Sequence, residues 1–118
     1  MKNVRLKLVA MLALLVLVVG LSAIKVTFLR SFDIEPNPMD DHCRIGSTID
    51  RPMELNVRIE DTKGTVIKNL YYGHVLRGLT LTWDRYDNNG QYTPKGVYRV
   101  VVSTNDRYTS TMKTVILK

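Results

Sequence analysis

The segment MELNVRIE, residues 53–60, is the feature that most restricts how this 118-residue chain can fold. Its apolar and polar side chains alternate one by one, with Met53, Leu55, Val57 and Ile59 on one side of the backbone. A period of two with a single apolar face is typical of a half-buried β-strand and does not fit an amphipathic helix. We therefore expect a sheet with one face against a hydrophobic core.

The same alternation recurs along most of the chain after residue 30, between clusters of turn-forming residues. Strands are predicted at SFDI, CRIGSTI, MELNVRIE, TVIKNLYY, LTLTW, GVYRVVVST and YTSTMKTVILK. Turns are predicted at EPNP, at DTKG, at NDR and in a loop bracketed by Gly73 and Gly78, because proline, glycine, aspartate and asparagine favour chain reversals. About seven short strands without a helical segment predict an all-β antiparallel sandwich over residues 31–118.

The first thirty residues have a different character, typical of export. Lys2, Arg5 and Lys7 precede residues 8–24, which contain no charged side chain. A positive flank before an apolar helix places the downstream domain outside the membrane. The run lies at the lower limit of the roughly 17–25 residues that span a bilayer. Small residues near its end would also permit cleavage: Gly20, Ser22 and Ala23. Residues 1–30 are thus predicted to be a hydrophobic helix, either a cleaved signal peptide or an uncleaved anchor.

The positive net charge of the chain belongs to this N-terminal segment. Five of the 17 basic side chains and none of the 11 acidic ones lie in residues 1–30, so residues 31–118 carry 12 basic against 11 acidic side chains. No stripe of basic residues with interleaved aromatic ones is visible in the remainder. The charge pattern argues against nucleic acid as a partner and for the membrane as the partner of the N-terminal segment.

Several short motifs occur in a fixed order within the predicted sandwich. Residues 36–38 read PNP, Trp83-Asp84 is followed by an Asp87-to-Gly90 turn, and residues 96–98 read GVY. This order resembles the FlgD-type (FlgD/Vpr) immunoglobulin-like domain, known from the flagellar hook-cap protein, and the related C-terminal sorting domains of type IX secretion. The resemblance covers about residues 33–118, and the terminal TVILK is similar to the close of a sorting domain. Arg85 departs from it, since that position is usually glycine.

The resemblance implies an Ig-like fold and a non-catalytic module. It leads to three hypotheses of function: binding or assembly with envelope or appendage proteins, secretion or sorting of the type IX kind, and a metal-dependent adhesin or secreted enzyme, which has the least support. Periplasmic, membrane-anchored and extracellular locations all agree with export. We expect no catalytic residue, no cofactor and no small-molecule substrate.

The loop at residues 84–90 is the first candidate for a site. Asp84, Asp87 and Asn89 offer oxygen atoms of the kind that calcium prefers, but their spacing is not that of an EF-hand and the distal glutamate is missing. Aspartate and asparagine also bond neighbouring backbone N–H groups in turns, and Gly90 can take a positive φ. We expect a structural corner without a metal ion, with Trp83 as a core anchor and Tyr98 as a core or corner tyrosine.

Two further groups of residues could carry function. His42, Cys43 and the distant His74 have no recognised zinc spacing. Cys43 is in phase with apolar neighbours, which predicts a buried free thiol; an intermolecular disulfide is the alternative in an oxidising compartment. Five tyrosines at or near predicted loops could form a contact surface, since tyrosine is common at interfaces: Tyr71, Tyr72, Tyr86, Tyr92 and Tyr108.

Overall fold

The computed structural model describes residues 28–105 and 109–118 and shows two antiparallel sheets. Seven strands are present in this part of the chain: β1 (Leu29–Glu35), β2 (Cys43–Ile49), β3 (Met53–Asp61), β4 (Val66–Val75), β5 (Gly78–Trp83), β6 (Gly96–Thr104) and β7 (Ser110–Leu117). One sheet has the order β1-β2-β5 and the other the order β4-β3-β6-β7. The all-β sandwich and its strand number are therefore confirmed.

The core lies between the two sheets and is built from the side chains that point inward from the strands. In β3 the four alternating apolar residues of MELNVRIE are all at most 4% exposed. The same sheet adds Val100 of β6 and Val115 of β7, and the opposite sheet supplies Ile45 of β2 and Trp83 of β5. The period of two read from the sequence thus corresponds to the face that the sandwich buries.

The predicted loop between Gly73 and Gly78 is wrong. Gly73 lies inside β4, opposite Leu55 of β3, and Val75 at the end of β4 is 4% exposed. Only Leu76 and Arg77 connect β4 to β5. The ladder needs backbone groups and not side chains, so a single glycine does not end a strand that continues to pair.

The first strand is longer than the predicted SFDI. It begins at Leu29, and both Phe28 and Leu29 are buried in the core at 8% exposure. The predicted hydrophobic helix of residues 1–30 lies, up to residue 27, outside the described residues. Between residues 28 and 118, the described part of the chain contains no helix that could cross a bilayer.

Residues 36–40, here called the PNP segment, leave β1 and run beside the last strand. The segment forms a parallel bridge between Met39 and Leu117. Its backbone donates from Met39 N to Ile116 O at 2.8 Å and accepts at Met39 O from Lys118 N at 3.0 Å. Met39 itself is fully buried. The segment that ends β1 therefore also covers the free edge of β7, which would otherwise present unpaired backbone groups.

Candidate functional site

The corner after β5 starts from a completely buried tryptophan. Trp83 is 0% exposed, and its indole Nε1 donates to the carbonyl oxygen of Tyr86 at 3.0 Å. A buried indole N–H needs such an acceptor, so the ring fixes the path of the chain three residues further on. The prediction that Trp83 is a core anchor is confirmed.

Asp84 and Asp87 hold the turns of the corner through their carboxylates. Asp84 Oδ1 accepts from Tyr86 N at 3.0 Å. Asp87 Oδ1 accepts from the backbone N of Asn89 at 2.8 Å and of Gln91 at 2.9 Å. Gly90 has a φ of 78°, in the left-handed region that favours glycine. Both carboxylates thus satisfy backbone donors, as the corner interpretation predicts.

Arg85 connects the corner to the PNP segment. Its side chain is 5% exposed, and its Nε donates to Thr93 O at 2.8 Å while Nη1 donates to the carbonyl oxygen of Asp40. The backbone of Arg85 has a φ of 69°. Glycine is usual at this position in the family that the sequence resembles, and the left-handed backbone gives the reason. Arg85 keeps the glycine conformation and adds a buried guanidinium that bonds two carbonyl oxygens.

Sequence reasoning missed this role. It recorded the arginine only as a departure from the usual glycine, whereas the charged group points into the protein and bonds two carbonyl oxygens. The available signal was the replacement itself: a long side chain at a position that needs a positive φ requires compensating contacts, because most L-residues avoid that conformation.

Two exposed tyrosines sit on the corner that Arg85 holds. Tyr86 and Tyr92 pair through a β-bridge, and their rings meet edge to face with centroids 5.4 Å apart. The Arg85 guanidinium lies 4.7 Å from the centre of the Tyr92 ring. The two side chains remain 44% and 49% exposed. We call this pair, together with Arg85 beneath it, the aromatic corner.

The other side of the corner is attached to the edge of β4. Asn88 N donates to Ile67 O at 2.9 Å, and Asn88 Oδ1 accepts from Asn69 N at 3.0 Å. The loop is therefore bonded to β4 on one side and to Asp40 on the other. Backbone and side chains together leave the aromatic corner little freedom to move.

The other tyrosines that the structure describes do not join this surface. Tyr71 and Tyr72 lie within β4, and the Tyr71 hydroxyl donates to His74 O at 2.8 Å. Tyr98 is buried, and its hydroxyl donates to Pro94 O at 2.8 Å, so its predicted corner role is confirmed. Tyr108 lies outside the described residues. Of the five tyrosines proposed as a contact surface, the structure brings Tyr86 and Tyr92 together.

His42, Cys43 and His74 are not brought together. His42 Nδ1 lies 2.8 Å from Asp41 Oδ1, and this hydrogen bond lowers the pKa of the Asp41 carboxyl. Cys43 is a free thiol with 0% exposure, and burial raises its pKa to about 11. His74 is on β4 in the opposite sheet. The buried free thiol is confirmed, and its burial argues against a disulfide between chains.

Among residues 28–105 and 109–118, no three His, Cys, Asp or Glu side chains are grouped as metal ligands. The expectation that the chain has no catalytic, cofactor or metal site stays a prediction. What the geometry offers instead is a preorganised aromatic surface suited to contact with another macromolecule.

Comparisons with known proteins agree with this architecture. A family model described as the FlgD Ig-like domain matches residues 40–107. No relative among proteins with curated functions matches the chain. Three solved structures are similar in fold: dimeric latent PorU from Porphyromonas gingivalis (TM-score 0.61, 18% identity), PorZ from the same organism (0.51, 20%) and FlgD from P. aeruginosa (0.53, 18%).

The shares of these structures that are matched differ widely. The matched region makes up 73% of this chain in the comparison with PorU, 75% in that with PorZ and 77% in that with FlgD. It corresponds to only 9% of the PorU chain and 11% of the PorZ chain, but to 77% of the FlgD chain. PorZ is described as an essential bacterial surface component of the type IX secretion system. At these identities the likeness shows the fold.

Proposed function

Because the chain belongs to the FlgD Ig-like domain family, we propose that it is a non-catalytic module that binds or assembles with other proteins of the cell envelope or of an extracellular appendage. The predicted role of residues 8–24 as an anchor or an export signal supports a position of the module on the outer side of the membrane. The surface setting described for PorZ supports an exported or envelope location for this chain as well.

The aromatic corner is the observation that carries this proposal. Tyr86 and Tyr92 present two large rings at 44% and 49% exposure on a loop fixed by hydrogen bonds on both sides. Tyrosine contributes large contact area at low entropic cost, and a preorganised surface loses little freedom on binding. The Arg85 guanidinium beneath Tyr92 holds one ring in place.

Site-specific photocrosslinking in the native cell tests the proposal. A photoreactive amino acid replaces Tyr86 in one strain and Thr62, an exposed residue of the β3–β4 turn, in another. We expect an adduct with an envelope or appendage protein from position 86 and not from position 62. Substituting Tyr92→Ala should lower the yield of the position-86 adduct at least severalfold. Identical adducts from both positions would contradict the proposal.

Secretion or sorting of the type IX kind is the second candidate, and one contact favours it. The PNP and TVILK motifs, which both resemble sorting domains, are bonded to each other: Asn37 Nδ2 donates to Thr114 O at 2.9 Å, and Ile116 N donates to Asn37 Oδ1 at 3.0 Å. The two motifs therefore form one surface that a secretion apparatus could recognise.

The two candidate functions differ in whether delivery of the protein to the cell surface requires a functional type IX system. The full chain would be expressed in cells with and without a functional type IX system, and surface-exposed protein measured by protease accessibility. Sorting predicts loss of surface protein in the deficient cells. Equal exposure in both cells would leave binding or assembly as the function.

A further inference from the structure

We propose that the end of the sandwich nearest the N-terminal segment lies against the membrane and binds anionic phospholipid headgroups. This surface, the basic end, is defined by Arg30, Arg51, Leu76 and Arg77. The inference rests on the proposed attachment of residues 8–24 to the membrane, and it assigns a lipid contact to the folded domain itself.

The topology gathers the basic end from three separate parts of the chain. Arg30 lies at the start of β1, Arg51 in the connection from β2 to β3, and Arg77 in the connection from β4 to β5. A backbone hydrogen bond of 2.8 Å from Ile49 N to Arg77 O holds the end of β2, where the connection with Arg51 begins, beside the connection with Arg77. All three arginines line one open depression of about 740 Å³.

The arginines are available to a ligand. All three are exposed, and within residues 28–105 and 109–118 none of them takes part in a side-chain hydrogen bond or ion pair. Asp50 is the acidic residue lining the same depression, so the lining carries a net positive charge. Guanidinium groups bind phosphate through paired N–H donors, which makes a phosphate-bearing surface their natural partner.

Leu76 gives the basic end an apolar tip. Its side chain is 67% exposed, next to Arg77 in the two-residue connection from β4 to β5, and it lines the same depression as Arg30 and Arg51. An exposed aliphatic side chain flanked by arginines matches the boundary between headgroups and acyl chains, where apolar groups insert and basic groups meet lipid phosphates.

The length of chain before the domain brings this end to the membrane. Three residues, 25 to 27, separate Ile24 from Phe28. A fully extended chain advances at most about 3.6 Å per residue, so Phe28 lies within roughly 14 Å of the end of the apolar run. That limit is less than twice the Debye length of about 8–10 Å at physiological ionic strength, so salt screens the charge of the lipid surface only in part at the basic end. The arginines therefore feel the charge of the lipid surface whenever residues 8–24 are inserted.

The opposite end of the sandwich has another character. It presents Asp40, Asp41, Asp84 and the aromatic corner, all at the far ends of the strands. Lys63 and Lys95 also lie at this end, so its charge is mixed, whereas three arginines line the basic end with a single acidic residue, Asp50. The charge distribution along the sandwich thus favours one orientation, with the basic end on the lipid and the aromatic corner directed away from it.

Thiol labelling of the full chain in lipid nanodiscs tests this orientation. The native Cys43 is the only cysteine of the chain and is fully buried, so an introduced cysteine reports alone. One variant carries Leu76→Cys at the basic end, and a matched variant carries Thr62→Cys at the far end. An uncharged maleimide is applied in discs of phosphatidylcholine alone or of phosphatidylcholine mixed with phosphatidylglycerol.

We expect the anionic lipid to slow labelling at position 76 by about fivefold or more, since each basic residue near such a surface contributes roughly a fivefold preference. Labelling at position 62 should not change. Combining Arg51→Gln and Arg77→Gln should remove the protection, whereas Lys63→Gln with Lys95→Gln, a matched pair at the far end, should not. Inorganic phosphate added to phosphatidylcholine discs should give no protection.

The outcomes separate this inference from the proposed attachment. Incorporation into both discs with equal labelling at position 76 overturns the lipid contact and leaves the attachment standing. Failure of the chain to incorporate into either nanodisc refutes the attachment. In that case the chain is mixed with preformed vesicles of the same two lipid compositions, and labelling at position 76 is measured again. Arginine-dependent protection by the anionic vesicles would still support the contact, and its absence would overturn both.

Discussion

Asn37 and Thr114, separated by 77 residues, are joined by a hydrogen bond of 2.9 Å from the side-chain amide of Asn37 to the backbone carbonyl of Thr114. The same side chain accepts from Ile116 N at 3.0 Å, so Asn37 pairs, beside the backbone of Met39, with the edge of β7 that has no neighbouring strand. The Asn37 side-chain amide supplies one donor and one acceptor, as a backbone peptide group of a neighbouring strand would.

Asn37→Ala should lower the free energy of unfolding by about 1–2 kcal/mol, because two hydrogen bonds of ordinary net strength are lost. Chemical denaturation monitored by Trp83 fluorescence measures the change. Asn89→Ala, at an exposed position of the corner, is the matched control and should stay within about 0.5 kcal/mol of the parent. Equal stabilities for the parent and Asn37→Ala would mean that the contact contributes nothing.

Trp83→Ala should destabilise the domain by roughly 3–5 kcal/mol, the range for removing a large buried aromatic ring. Trp83→Phe should cost less, because it keeps most of the apolar volume and loses the hydrogen bond to Tyr86 O. Circular dichroism in a denaturant series measures both variants. A loss below about 1 kcal/mol for the alanine variant would contradict the burial of the ring.

Two substitutions of Arg85 distinguish the effect of backbone strain on stability from the effect of the side-chain contacts. Arg85→Ala removes the bonds to Asp40 and Thr93 but keeps a Cβ at a φ of 69°, whereas Arg85→Gly removes the same bonds and relieves the backbone. The glycine variant should be the more stable of the two by about 1 kcal/mol, and both should be less stable than the parent. A glycine variant as unstable as the alanine variant would show that the left-handed backbone costs nothing there.

Calcium should leave the melting temperature unchanged. The carboxylates of Asp84 and Asp87 are already occupied by backbone N–H groups, and a calcium site needs about six to eight oxygen ligands. A ligand that binds only the folded state must raise the midpoint by mass action. Thermal melts with millimolar calcium and with chelator give the comparison. A rise of several degrees that Asp87→Ala abolished would make the corner a metal site.

The thiol of Cys43 should make stability fall at alkaline pH. Its pKa is raised from an ordinary value of 9.0 to about 11, so between these values the folded state holds a proton that the unfolded state has released. Stability is full below pH 9 and decreases as the pH rises towards 11. Cys43→Ala should show a weaker decrease over this window in denaturant melts. Parallel pH profiles for the two proteins would contradict the linkage.

Much of the fold could be predicted because the inward face of each strand repeats every second residue. The predicted CRIGSTI coincides with β2, and MELNVRIE falls one residue short of β3. Gly73 misled the prediction because a glycine is a turn signal in sequence but can pair like any other residue within a ladder. Where local propensity and long-range pairing disagree, the pairing decides.

The candidate site could be predicted only in part. The turn-capping roles of Asp84 and Asp87 are local, since their partners lie two to four residues away. Arg85 bonds a carbonyl 45 residues earlier, and no local pattern in the sequence announces such a partner. The pairing of Tyr86 with Tyr92 likewise depends on the path that the buried arginine imposes.

The parallel course of the PNP segment beside β7 has a mechanical consequence. Residues 29–39 and residues 110–117 run in the same direction, so tension applied between Leu29 and Lys118 would pull the two segments past each other along their length. The bonds at Asn37 and Met39 lie across that direction and would be loaded together in shear, not opened one after another. A pull between these two ends would thus be borne by several bonds at once.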